Sequence, residues 1–262
     1  MCLILVGWRV HTGFPLVIAA NRDEFHARAS APAHWWTDHP QLLAGRDLVA
    51  GGTWLAVSRA GQMAALTNFR DPTRTKFNTP SRGELVVRMA ESSAPIGERL
   101  NWLSEQSSRF ADFNIMVSDG VELGIFESAS KSCRLLEPGV YGLSNHLLDT
   151  PWPKVLQAKS NLAAALGNSP TDDALLHLLR DDQTAPEDQL PRTGVSRDWE
   201  RLLSSAFVRA AAYGTRCSTV IRFDADQGIS FREWTWNDAG LPAGEAHYRF
   251  ATNTAAIAIG QT

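Results

Sequence analysis

The chain opens MCLILVGW, and the apolar run from Leu3 to Val6 begins directly behind Cys2. A run of this kind reads as a buried strand, so the chain enters its core at once, whereas terminal residues are normally poorly ordered. A second apolar run, Leu16–Ala20, follows the glycine- and proline-marked HTGFP segment, and the pair reads as a hairpin. This places one of the chain's three cysteines at a strand end that is held rather than frayed.

That placement suggests a chemistry. A small second residue permits removal of Met1, after which Cys2 carries an α-amine titrating near ~8 and a thiol near ~8.5 on the same residue. The amine then serves as a base for the sulfur, which is the logic of an N-terminal nucleophile. The competing reading is that Cys2 is a small buried hydrophobe, a common role for cysteine.

The hairpin supplies a partner. A two-residue loop on Thr12–Gly13 pairs residues whose numbers sum to about 25, which sets Cys2 opposite Asp23. A slip of one residue would bring Arg22 or Glu24 there instead. Asp23 can hold the amine and orient the thiol. Asn68 and Asn145, each following a strand-like run, offer amide donors to a developing oxyanion. Arg216 is a candidate for orienting Asp23 or a substrate carboxylate.

Along the chain, TWLAVS and MAALTN form a second hairpin, and SRGELVVRMAES reads as a helix with Ser81 and Glu84 as a capping box. FNIMVSD and VELGIFES make a third hairpin about Gly120, with short strands near Leu135 and Tyr141. The stretch from Trp152 to about Val208 is mostly helical, and RCSTVIRF and ISFREWTW return to strand. Strands, helices, then strands imply an α+β layered architecture in one domain over residues 1–262.

Composition narrows the partners. A net charge of −3 without a basic cluster gives no footprint for nucleic acid. No segment approaches the roughly 20 apolar residues of a membrane span. The opening run lacks a basic flank and soon meets Arg9, so no signal peptide is expected. Cys2, Cys133 and Cys217 form no CxxC pair, which argues against a disulfide framework or a zinc site and makes a cytoplasmic setting the default.

NRDE at 21–24, GGTWLAV at 51–57, AALTNFRDP at 64–72, SRGELV at 81–86, YGLSNHLLDTPWPKV at 141–155 and YGTRCSTV at 213–220 resemble, in order, the NRDE family, also called the transport and Golgi organisation protein 2 family. More distantly, Cys2, Asp23, Asn68 and Asn145 are similar to the active-site pattern of choloylglycine hydrolases and penicillin V acylases. That likeness implies a four-layer αββα sandwich and amide cleavage by an N-terminal cysteine. Those hydrolases carry an arginine three residues before the aspartate; here Ala20 stands there, while Arg22 should point to the opposite face from Asp23 and is a candidate substrate-binding residue.

Two functions follow from these residues. The first is a cysteine amidohydrolase or thioesterase for an apolar acyl group, requiring no cofactor. The second, implied by the family's links to haem trafficking and acyl-CoA or lipid handling, is a carrier. In it Trp35, Trp36, Trp54 and Phe69 would wall a pocket, and Cys2, His26 or His146 would ligate haem iron.

Overall fold

In the first strand, β1 (Cys2–Trp8), Leu3 and Leu5 pack on one side while Ile4, Val6 and Trp8 pack on the other, and all are buried. A strand buried on both faces must lie in a sheet covered on both faces. The computed structural model, which describes residues 2–74, 78–168 and 170–252, shows what covers it.

The remaining strands are β2 (Leu16–Phe25), β3 (Ser30–Trp35), β4 (Leu42–Asp47), β5 (Leu55–Ser58), β6 (Met63–Asn68), β7 (Phe113–Ser118), β8 (Leu123–Glu127), β9 (Ser132–Leu135), β10 (Gly139–Leu143), β11 (Tyr213–Phe223), β12 (Gly228–Trp236) and β13 (Pro242–Ala251). The α-helices are α1 (Gly83–Glu91), α2 (Ile96–Gln106), α3 (Pro153–Leu166), α4 (Asp172–Leu179) and α5 (Arg197–Leu202). One antiparallel sheet has the order β10-β1-β2-β11-β12-β13, and the second is a meander from β3 to β9.

Three cores hold the layers together. Ile4, Val6, Ile18, Leu43, Val57 and Met116 meet between the sheets. Leu85, Met89, Ile96 and Leu100 of α1 and α2 cover the outer face of the second sheet. Val155, Leu162, Leu175 and Leu179 of α3 and α4 cover the outer face of the first. The result is the four-layer αββα sandwich implied by the sequence resemblance. Among the described residues, no helix is long and apolar enough to cross a membrane.

The first hairpin differs from its expected register. Arg9–Pro15 forms the whole connection, closed by Arg9 N–H donating to the Pro15 carbonyl at 2.7 Å. His11 Nδ1 accepts from the amides of Gly13 and Phe14, which widens the turn beyond Thr12–Gly13. Cys2 therefore pairs with Arg22, not Asp23. The second strand runs on from the apolar Leu16–Ala20 to Phe25, so Asn21–Glu24 lies within the ladder.

The helix over SRGELVV begins at Gly83 with Arg82 in the cap position, and Ser81 Oγ accepts the Gly83 amide at 3.3 Å. Its entry packs tightly on the GGTW segment: a Cβ on Gly52 would lie 2.6–2.9 Å from Gly83 backbone atoms. This close approach fixes one wall of the cleft described next.

Candidate active site

Cys2 is partly exposed at the first residue of β1, in a cleft of about 520 Å³ shared with Arg22, Asp23, Trp54, Asn68 and Arg82. Burial pushes its thiol above the ordinary range; the neighbouring Asp23 charge pushes the same way, while the Asp23 backbone amide bonds to the sulfur and opposes it. The hydroxyl of Ser144 donates to the Cys2 carbonyl at 3.1 Å, hitching the start of β1 to the segment after β10.

Asp23 is only 1% exposed. Its Oδ1 accepts from Thr215 Oγ1 at 2.7 Å, and Tyr213 donates its hydroxyl to the Asp23 carbonyl at 3.0 Å. Burial raises its carboxyl, with Lys154 and Arg70 among the cations that oppose the rise. Neighbouring side chains of β2 point to opposite faces, as strand geometry requires. Arg22 accordingly lies toward the second sheet, its guanidinium 4.5 Å from the Trp54 ring centre and 3.4 Å from Asp47. Arg28 shares that carboxylate at 2.6 Å.

Asn68 and Asn145 come together. Asn145 is fully buried and donates Nδ2 to the Asn68 carbonyl at 2.9 Å. Asn68 borders both the Cys2 cleft and an adjoining depression of about 460 Å³ that also touches Phe69 and Asn145. His146 packs at a tilt against Phe69 with ring centres 4.9 Å apart and bonds Thr150 through Nδ1 at 2.8 Å. Burial, reinforced by Arg70, lowers the His146 pKa.

Other expected site residues lie elsewhere. Arg216 is the extra residue of a bulge: Thr215 pairs with Asp23 and Cys217 with Arg22. The bulge turns Arg216 onto the carbonyls of Phe25 and His26, so Thr215 rather than Arg216 orients Asp23. Trp36 is 1% exposed in the helix-facing core and donates Nε1 to the Ala44 carbonyl; it borders a separate depression with Trp102 and Phe110, not the Cys2 cleft. Trp35 packs against Tyr248, Phe250 and Arg59 beyond the Cys2 cleft. His26 Nε2 lies 3.1 Å from the Ala210 carbonyl and Nδ1 lies 3.2 Å from the Asp238 carboxylate, so the ring is turned away from Cys2 toward the Ala210–Asp238 side. Of the four aromatics expected as walls, Trp54 borders the Cys2 cleft and Phe69 the adjoining depression.

Tyr213, Thr215, Arg70, Arg82 and Lys154 join these surroundings without a motif in the sequence that marks them. Arg70 forms a buried ion pair with Glu200 at 3.0 Å and covers the Trp152 ring at 4.6 Å. Lys154 carries a local signal that could have marked it: a lysine in the first turn of a helix opposes the helix dipole.

Residues 1–238 match the family model described as Transport and Golgi organisation 2. The Bos taurus "Transport and Golgi organization protein 2 homolog" is 37% identical over 238 residues, covering 84% of this chain and 86% of that one. Among solved structures, the C2A mutant of the conjugated bile acid hydrolase from Clostridium perfringens superposes with a TM-score of 0.54 at 10% identity, covering 97% of this chain and 98% of that one. A Caenorhabditis elegans N-acylethanolamine-hydrolyzing acid amidase ortholog gives 0.50 at 12% identity, covering 84% and 92%. At those identities the structural likeness is one of fold.

Proposed function

The chain belongs to the Transport and Golgi organisation 2 family, and from that premise we propose that it is an N-terminal-nucleophile hydrolase cleaving an acyl amide or acyl thioester. The observation that carries this reading is the placement of Cys2 in a cleft with Asp23 behind it and Asn68 beside it. Structural neighbours named as hydrolases of conjugated bile acids and of N-acylethanolamines share the fold, which supports the reaction class.

Cleavage of the Met1–Cys2 bond frees the α-amine. As the sulfur attacks the acyl carbon, the amine takes the Sγ proton and the carbonyl electrons move to oxygen. The Asn68 amide serves that oxyanion, and Asn145 fixes the Asn68 backbone. Collapse expels the leaving amine or thiol, which receives the proton from the α-ammonium. Water then attacks the S-acyl cysteine, the amine again accepting a proton, and the acid is released with the thiol restored. Asp23, held by Thr215, orients the amine throughout.

The cleft qualifies the substrate. Trp54 and Leu66 are its large apolar walls, while Arg22, Arg28 and Arg82 also border it. The acyl group meets a short apolar surface next to polar groups, not an enclosed aromatic pocket.

A carrier of haem or acyl-CoA is the second reading: burial holds the Cys2 thiol above its ordinary range, which works against the thiolate a nucleophile needs. One preparation decides between them. Turnover of a panel of acyl amides and acyl thioesters, abolished in Cys2→Ser, is expected. Saturable binding of haem or acyl-CoA with no turnover anywhere in the panel would overturn the hydrolase.

A further inference from the structure

On the face of the first sheet that carries α3, the face to which Val17, Ala19 and by the same alternation Asp23 turn, lies a buried cation. Lys154 is the second residue of α3 and only 5% exposed. Its Nζ is buried and finds no hydrogen-bond partner among the described residues. A buried ammonium is costly unless something compensates it, and its place in a first helical turn sets it against the dipole as well. Packing alone would favour a methionine there.

The charges around it are few. Asp23 faces it from β2, Arg70 from the segment after β6, and Cys2 from β1. Arg70 is engaged by Glu200 of α5, and the Tyr213 hydroxyl of β11 lies in the same surroundings. Asp23 is thus the carboxylate nearest in effect to Lys154. Burial lowers the lysine to about 8, opposed by Asp23 and reinforced by Arg70, so the ammonium stays charged at neutral pH.

Asp23 also works against the site it serves. A carboxylate beside a thiol disfavours the thiolate, and Asp23 raises the Cys2 thiol. We propose that Lys154 is a positioning residue of the Cys2 site: its buried ammonium neutralises Asp23, so that this carboxylate can hold the Cys2 amine without suppressing the Cys2 thiolate. The inference rests on Cys2 being the nucleophile, but its test needs no turnover.

The test measures alkylation of Cys2 by limiting iodoacetamide across pH on the folded protein, with the Cys2 peptide quantified by mass spectrometry. Lys154→Met is expected to move the alkylation midpoint up by about one unit, making Cys2 roughly tenfold slower at pH 7. Lys154→Arg keeps the wild-type profile. Asp23→Asn placed in the Lys154→Met background reverses the slowing, because the source of repulsion is gone. A purely structural lysine would not produce that reversal. An unchanged midpoint in Lys154→Met, or no reversal by Asp23→Asn, overturns the proposal. Lys154→Gln gives a second neutral comparison, and failure of both neutral variants to fold would also overturn it by making the lysine structural. An unreactive substrate panel, in contrast, counts against the hydrolase reading and leaves the alkylation result standing.

Discussion

Asn145 donates its side-chain Nδ2 to the main-chain carbonyl of Asn68 at 2.9 Å, and its own carbonyl accepts the Arg70 amide at 2.7 Å. Asn68 ends β6 in one sheet and Asn145 follows β10 in the other, so this double tie spans the two sheets beside Cys2. Asn145→Ala is expected to lower kcat by roughly 10²-fold, because it releases the Asn68 backbone and with it the amide proposed to serve the oxyanion. Leaving the Asn68 carbonyl without that donor costs about 1 kcal/mol of stability. Steady-state kinetics beside urea denaturation check both, and a variant with unimpaired kcat would remove the asparagine pair from the mechanism.

Intact-mass spectrometry is expected to show the protein starting at Cys2 with a free amine. A retained Met1 or a blocked amine would remove the base on which the proposed mechanism depends.

Peptide mapping after brief alkylation is expected to leave Cys217 unmodified in the folded state and to find Cys2 among the modified residues. Cys217 is buried, and its thiol is pushed well above the ordinary range by burial and by Glu233. Labelling of Cys217 ahead of Cys2 would favour a purely structural Cys2.

Arg70→Met is expected to destabilise the fold by about 3–5 kcal/mol, because it strands a buried carboxylate. Glu200 is 1% exposed and also receives the amide and hydroxyl of Thr193. Adding Glu200→Gln should recover part of the loss. Equal urea midpoints for Arg70→Met and wild type would contradict this account of the pair.

His146 makes a pH signature. Its folded-state pKa lies below the ordinary value of about 6.5, so folding favours the neutral ring. That stabilisation is fully present above pH ~6.5 and is lost as pH falls through the lowered folded value. Urea midpoints measured at pH 7.5 and 5 should therefore differ less in His146→Asn than in wild type. An identical difference in the two proteins would locate the acid sensitivity elsewhere.

Much of this molecule is legible in one dimension because burial writes itself into residue choice. Apolar Leu3–Val6 and Leu16–Ala20 mark a two-sided strand pair, and the Met63–Asn68 and Phe113–Ser118 runs mark strands that form the expected hairpins with Leu55–Ser58 and Leu123–Glu127. Elements without such a signature escape. The strand Pro242–Ala251 is mostly exposed at a sheet edge, and the strand Ser30–Trp35 is interrupted by a register shift.

The candidate site divides along the same line. Residue types near strand ends mark Cys2, Asp23, Asn68 and Asn145 as candidates, and the structure brings them to one region. Which of them touch is a matter of register and of chain returning from far away. One wider turn moves the Cys2 partner from Asp23 to Arg22, because each residue of slip turns a strand's side chains to the other face. One bulge hands the orientation of Asp23 to Thr215 and sends Arg216 elsewhere. Lys154 comes into the electrostatic surroundings of Asp23 only because α3 packs on that face of the sheet, across 131 positions of sequence. Local pattern carries composition and periodicity, but such electrostatic meetings depend on distances that exist only once the layers are stacked.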